Sequence, residues 1–366
     1  MSAQDGLVDQ NTYFNKQVAS KDMSNYYLLK KGDFAYNKSY SNGFPLGTVK
    51  RLDKYDEGTL SSLYIVFRPE KVNSDFLSIY YDTNKWHREV MKLSAEGARN
   101  HGLLNIPVNS FFEKKIIIPI HEEEQLEIAK FLKRLEKIIT LHQRKINILK
   151  TLKKVYLNVM FSNRSEDIPR LHFKSFSEAW EQCEVSNLSQ KTFGGGTPKT
   201  SKKIYWDGDI PWIQSSDLKE HNVKSIRVNK KITKIGLEHS AAKLIPKNSL
   251  AIVTRVGVGK VALIPFEYTT SQDFLSLSNL NVDKYFGLYL MYHNLQKELL
   301  ALQGTSIKGI TKKEVLKKRV RVPKDLQEQV SIGKSLKELD SYINLHQRKL
   351  HKLNKIKQVY LNKMFI

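Results

Sequence analysis

The chain has 366 residues, 40% hydrophobic and 10% aromatic, enough for two domains with real cores and too apolar for global disorder. Sixty Lys and Arg against 37 acids leave a formal charge of +23, which points to a polyanionic partner, nucleic acid first. Cys183 is the single cysteine, excluding an internal disulfide or a multi-cysteine zinc site.

The opening "MSAQDGLVDQ" offers neither a lipid signal nor a basic amphipathic helix, and no apolar run reaches transmembrane length. The cytoplasm is therefore the expected compartment and a membrane is not an expected partner. A first mixed, aromatic-rich lobe then spans residues 1–112. It contains a strand-like run, "LLKKGDFAYN" at Leu28–Asn37, a helix opening at "FLSIYY", Phe76–Tyr81, and a Gly-polar stretch, "EGARNHG" at Glu96–Gly102. A helical spacer follows at residues 113–168, ending in the polar connector "SNRSEDIPR". The second lobe, residues 169–316, repeats the plan with "LIPKNSLAIV" at Leu244–Val253, "FGLYLM" at Phe286–Met291 and "QGTSIKG" at Gln303–Gly309. A second helical spacer closes the chain at residues 317–366.

The spacers are copies of one another. "LHQRK" occurs at Leu141–Lys145 and again at Leu345–Lys349, and an ungapped match with the same offset runs from about Asn105–Phe161 to Gly309–Phe365. Pro119 lands on Pro323 and Gln125 on Gln329; "VYLN" recurs at Val155–Asn158 and Val359–Asn362. This is an internal duplication. Ile128, Leu132, Leu135, Ile139, His142, Ile146, Leu149, Leu152, Tyr156 and Met160 recur at steps of three and four, the seam of a coiled coil. The second copy aligns Ile332, Leu336, Leu339, Ile343, His346, Leu350, Leu353, Ile356, Tyr360 and Met364. Pro119 and Pro323 precede the helix starts, and Glu122, Glu123 and Glu124 favour the first helix's positive end. Each helix should run about 40 residues, about 60 Å. Pairing of the two seams, antiparallel and with approximate two-fold symmetry, is expected over separate packing on two domains. His142 and His346 then lie near the crossing centre, as a polar layer fixing register and within about 11 Å of each other along the axis. No neighbouring side chains complete a metal site there.

Catalytic motifs are absent. "TRVGVGKVAL" at Thr254–Leu263 has Thr254 where a phosphate loop needs its first Gly and Val261 where it needs Ser or Thr. It reads instead as a turn between strands that presents Arg255 and Lys260 to phosphate. "FGGGTPK" at Phe193–Lys199 has Thr197 in place of the last Gly of a methyl-donor loop, and no aminomethyltransferase, zincin or nucleophile-elbow string occurs.

The duplicated "P-x-x-x-x-E-Q" starts (Pro119–Gln125, Pro323–Gln329), "FSEAWEQCEVSNL" at Phe176–Leu188 and "GGGTPKTSKKIYWDGDIPWIQSSDL" at Gly194–Leu218 resemble the specificity subunits of type I restriction-modification enzymes over essentially the whole chain. The resemblance implies an α+β fold: two mixed α/β target-recognition domains separated by two long helices that form an antiparallel coiled coil with pseudo-two-fold symmetry. It implies a non-catalytic subunit on double-stranded DNA with two modification (methyltransferase) and two restriction (translocase/nuclease) subunits. S-adenosylmethionine, ATP and Mg would sit on those partners and none on this chain. A stand-alone duplicated DNA- or RNA-binding adaptor without enzyme partners is the alternative, and a nuclease using scattered acids a second.

The DNA contacts expected on this reading are Lys199, Thr200, Ser201, Lys202, Lys203, Gln214, Ser215, Ser216, Arg255, Lys260, Thr305, Ser306 and Lys308 in the second lobe. In the first they are Asn37, Lys38, Ser39, Tyr40, Arg99, Asn100 and His101. The chain's first residues align best inside the second lobe, Asp5 with Asp217, so about 35 to 40 residues opening that lobe, with Trp206 and Trp212 as buried anchors, lack a counterpart in the first. The first half-site is accordingly expected to be read weakly.

Overall fold

A computed structural model describes the chain apart from residues 1–5, 10–12, 14–23, 42, 96–103, 105, 163–166, 220–221, 302–308 and 366. The described residues form two compact units, Met1–His142 with Lys349–Ile366, and Gln143–Arg348. Each unit therefore takes one lobe together with a portion of both long helices.

In the first unit the order is β1 (Tyr27–Lys30), β2 (Phe34–Asn37), β3 (Thr48–Arg51), β4 (Glu57–Leu60), β5 (Ile65–Phe67), α1 (Ser74–Tyr81), α2 (His87–Ala95), α3 (Val108–Glu113) and the start of α4 (Glu122–Val159). Strands β3-β2-β5 form one antiparallel sheet and β1-β4 a second ribbon. "LLKKGDFAYN" supplies β1 and the central strand β2, whose Phe34, Ala35 and Tyr36 are all buried. An aromatic core of Phe34, Tyr36, Phe76, Tyr81, Trp86 and Phe111 fills the space between this sheet and the helices.

The second unit contains β6 (Glu181–Glu184), β7 (Ser189–Gly194), β8 (Trp206–Ile213), β9 (Leu218–Lys219), β10 (Asn222–Ile226), β11 (Lys230–Ile232), α5 (Lys234–Glu238), β12 (Ser249–Val253), β13 (Val261–Ile264), β14 (Thr269–Thr270), β15 (Phe274–Leu280), α6 (Lys284–Ala301), α7 (Lys312–Leu316), β16 (Arg319–Val322) and much of α8 (Leu326–Met364). Its main sheet runs β13-β12-β15-β7, with β11-β8-β14, β16-β6 and β10-β9 beside it. "LIPKNSLAIV" thus yields β12, central in its sheet as β2 is in its own. β12 is buried at every position, as a strand covered on both faces should be.

The two units repeat one joint. Asn73 caps α1, its Oδ1 accepting from the backbone N–H groups of Asp75 and Phe76, while its own N–H donates to Gln125 Oε1 at 2.8 Å. Gln125 Nε2 donates to the Pro119 carbonyl at 2.8 Å. In the second unit Asp283 caps α6 through Tyr285 and Phe286, donates to Gln329 Oε1 at 2.9 Å, and Gln329 Nε2 donates to the Pro323 carbonyl at 2.9 Å. The duplicated proline–glutamine motif is therefore a latch that fixes the lobe's helix to the start of a long helix.

The long helices run 38 and 39 residues. In the first unit Phe131 packs edge-on to Tyr360 at 4.7 Å and Glu136 pairs with Lys357, so the helices are antiparallel. In the second unit Leu149, Leu157, Leu336, Leu339 and Ile343 share one core. The seam is interrupted by charge, because Lys153 Nζ meets Asp340 Oδ1 at 2.7 Å with both side chains 8% exposed. One seam position expected from periodicity is corrected: Ile356 is 44% exposed, whereas Tyr360, 38% exposed, keeps its contact with Phe131 of the other long helix. Over α8's last turns the inward face rotates onto Lys357, half-buried, and Leu361, buried. His142 falls in the first unit and His346 in the second; both are half-buried.

Candidate nucleic-acid interface

The turn between β12 and β13 spans the sequence "TRVGVGK". Gly257 and Gly259 take φ of +85° and +92°, conformations that side-chain-bearing residues rarely adopt. Thr254 is buried, accepting Ile310 N–H at 2.8 Å on its carbonyl and donating through Oγ1 to the Asp273 carbonyl at 2.9 Å. Gln296 on α6 clamps the far side by donating to the Gly259 carbonyl. Arg255 is left exposed at the tip, and Lys260 turns back to donate to the Ser215 carbonyl at 3.3 Å. The short turn after β8 is thereby tied to this hairpin.

Lys312, at the start of α7, joins the same cluster. Its ammonium lies beside Gly194, where an added Cβ would come within 2.7 Å. Partial burial lowers its pKa, the positive charge of Arg255 lowers it further, and Asp273 opposes both. Arg255 and Lys312 thus bring two positive charges near one another, with the Asp273 carboxylate beside them. Nothing in the sequence singles out Lys312, which sits in a run of two lysines with no pattern to set it apart.

Gln214, Ser215 and Ser216 follow β8. The Gln214 side chain accepts from the Asp217 N–H, and the Asp217 carboxylate accepts from the Gln214 N–H at 3.0 Å, a reciprocal cap. Asn229 donates to the other Asp217 oxygen at 2.6 Å. Gln214 is thus occupied in shaping the turn, whereas Ser216 is exposed.

Lys199, Thr200, Ser201, Lys202 and Lys203 are all exposed, on a loop held by Trp206 Nε1 donating to the Lys199 carbonyl at 3.3 Å. β8 is irregular against β11, with Ile232 opposite Trp206 and Lys231 opposite Pro211. This bulge folds Trp206 onto Trp212, ring centroids 5.1 Å apart. Lys230 Nζ lies 5.7 and 5.8 Å from the two indole centroids. Trp212 is buried as expected; Trp206 is only half-buried, since the bulge leaves one indole face to the Lys230 side. The "GGG" stretch is explained by packing. A Cβ on Gly195 would lie 1.9 Å from the Ser271 carbonyl oxygen, and one on Gly196 2.3 Å from the Ala241 backbone.

The first unit places Asn37, Lys38, Ser39 and Tyr40 at the matching turn after β2. Asn37 Oδ1 accepts the Ser39 N–H at 2.9 Å, the Lys38 carbonyl accepts Leu104 N–H at 3.1 Å, and Tyr40 is 56% exposed. The Leu104–Lys38 bond mirrors Ile310–Thr254. In both units, therefore, the chain leaving the Gly-polar stretch is stitched to the hairpin tip. Arg99, Asn100, His101, Thr305, Ser306 and Lys308 lie outside the described residues. Among the described residues no cluster of three His, Cys, Asp or Glu could hold a metal, and no helix is long and apolar enough to cross a membrane.

The family profile of the type I restriction modification DNA specificity domain matches residues 9–151 and 177–355. The chain belongs to this family. The two matched blocks cover one lobe each with most of its following helix. Among individual relatives of the family, the MjaIX specificity subunit of Methanocaldococcus jannaschii is 29% identical over 196 residues, 51% of this chain and 44% of that protein. The EcoR124I/EcoR124II specificity subunit of Escherichia coli is 30% identical over 251 residues, 65% of this chain and 58% of that protein. The chain thus spans about half the length of these relatives. The fold is also that of the S subunit of a type I restriction-modification system from M. genitalium, with a TM-score of 0.60 at 15% identity over 92% of this chain and 83% of that one. A chain from a study of assembly and conformational transition in a type I system matches with a TM-score of 0.56 at 16% identity, over 94% and 84%.

Proposed function

We propose that this protein is the sequence-reading subunit of a type I restriction-modification complex. It binds a bipartite DNA target and directs adenine methylation and cleavage carried out by other chains. The observation that carries the reading is the repeated hairpin tip: in each half a turn after the central strand, bearing polar and basic residues, is tied to the segment that enters a long helix. Two such tips on one chain suit two short base-pair tracts, and phosphate contacts would set their registers.

In this role Arg255, Lys260 and Lys312, with Lys199, Lys202 and Lys203, hold phosphates through charge, while Ser216, Asn37, Ser39 and Tyr40 face base edges or sugars. The chain performs no chemistry. Two modification subunits bring S-adenosylmethionine, and two restriction subunits bring ATP and Mg. Expression with and without this gene, followed by mapping of methylated adenines, tests the proposal: a two-part motif should appear only with the gene. Co-purification of a methyltransferase chain separates this reading from a stand-alone adaptor.

A further inference from the structure

Within the second unit, strand alternation in β16 turns Val320 and Val322 into the core and leaves Arg319 exposed and Arg321 half-buried on the other side. On α6, Leu290, Asn294, Lys297 and Glu298 follow at steps of four, three and one, so they share one helix face. A cleft of about 360 Å³ lies between that face and β16, with Trp180 and Gln182 beside the strand and Phe161 and Ser162, which follow α4, also in its wall.

The lining is cationic. Lys297, Lys318, Arg319 and Arg321 stand there against one carboxylate, Glu298, which is already paired with Lys318. Two further lining groups are buried and unused. Arg321 Nη1 donates to the Trp180 carbonyl at 3.3 Å and meets Asp167 Oδ1 at 2.7 Å, which fixes the guanidinium, while its Nε has no hydrogen-bond partner. Ser162 Oγ is buried without a partner as well. Buried donors left in this state are rare and costly, and each calls for an acceptor. Phe161, Trp180 and Leu290 supply apolar wall beside these groups.

We propose that this cleft binds a small organic phosphate monoester. Four cations against one carboxylate suit a group with two negative charges and several acceptor oxygens better than they suit a carboxylate. Arg321 Nε and Ser162 Oγ would donate to those oxygens, and Lys297 and Arg319 would balance their charge. The volume falls within the range of small-molecule sites, about 300–1,000 Å³, and exceeds what a bare phosphate fills. The apolar wall therefore takes an organic body.

The test uses the full chain, titrated calorimetrically with adenosine 5′-monophosphate, inorganic phosphate and adenosine. The nucleotide should bind one per chain, inorganic phosphate more weakly, and adenosine not measurably. Ser162→Ala removes a hydroxyl that bonds nothing in the folded chain, so it should weaken the nucleotide by about tenfold without lowering the thermal unfolding temperature. Arg319→Gln, at an exposed position, should weaken it while leaving unfolding unchanged, and Arg321→Lys should weaken it although the charge is kept. Arg255→Ala with Lys312→Ala, at the hairpin tip, should have no effect. Failure of both the nucleotide and inorganic phosphate to bind would overturn the proposal, as would binding indifferent to the three cleft variants or lost in the tip variant. Displacement of the nucleotide by blunt duplex DNA without terminal phosphates would overturn it too, since the cleft would then belong to the DNA surface. Failure to bind the nucleotide would leave the DNA-reading role untouched.

Discussion

Gln125 and Gln329 show how a single residue type can join two scales. Each is buried, and each amide accepts from a helix-cap N–H and donates to a proline carbonyl. Only a neutral amide of this length does both at once. Gln329→Ala should destabilise the second unit by about 2–4 kcal/mol, because two buried backbone groups are left without partners. Gln329→Glu, which keeps the acceptor and removes the donor, should recover part of that stability. Hydrogen exchange at the start of α6 reads the difference, and the amides of α1 should not change. The motif itself is plain in the sequence, but its role is not, since nothing in it marks Asn73 and Asp283, each three residues before Phe76 or Phe286, as the partners of these glutamines.

Lys114 is a residue that no pattern picks out. Its Nζ is buried without a hydrogen-bond partner, 3.1 Å from the Phe111 ring centroid and 5.0 Å from that of Tyr81. Burial pulls its pKa down to about 7. The unfolded chain holds that proton up to about pH 10.4, so between pH 7 and pH 10 the unfolded state binds more protons and stability rises with pH. Below pH 7 both states are charged and the full penalty is present. Lys114→Met should therefore raise stability at pH 6–7 by on the order of 3 kcal/mol and flatten its rise toward pH 10. Denaturation midpoints at pH 6, 7.5 and 9 decide this; a parallel pH profile in the variant would contradict it.

At the scale of elements, the long helices are the most legible part of the chain, because a heptad-like apolar step repeated over some 40 residues has one economical reading. What periodicity does not show is the charge inside the seam. Lys153 and Asp340 stand beside seam residues, and their burial depends on α6, whose Tyr289 donates to Asp340 at 2.7 Å. Tyr289 is driven well above the usual phenol range, first by burial and then by the Asp340 charge. Asp340→Ala should cost about 3–5 kcal/mol, leaving a buried ammonium without its counter-ion, while Lys153→Met with Asp340→Leu should return most of it. If the double variant is no better than the single one, the ion pair is doing more than neutralising itself. The strands are legible as runs, but the bulge in β8 is not. That distortion depends on Trp206 meeting Trp212 and Lys230, contacts made across the sheet rather than along the chain.

At the scale of the whole molecule, the charge of +23 announces a polyanion but not how the work is shared between two halves. On the proposed DNA-reading role, the repeated tips divide that work by half-site. Arg255 and Lys312 stand at one tip, Lys38 at the other, and each tip is bonded to the segment entering its own long helix. Removing a cation at either tip should then act on two observables with different reach. Total affinity should fall, and the slope of log affinity against log salt should shrink by about 0.9 for each phosphate no longer neutralised, whichever tip is altered. Sequence preference should respond locally: Arg255→Ala with Lys312→Ala should blur only the half of the methylated motif read by the second lobe, and Lys38→Ala only the other half. Filter or fluorescence titrations at several salt concentrations give the first, and adenine-methylation maps of cells carrying each variant give the second. An unchanged salt slope in the Arg255→Ala, Lys312→Ala double variant would remove that tip from the DNA surface. Blurring of both halves together by either change would mean that the two tips act as one site, and the repeated stitching of each to its own long helix would then need a different explanation.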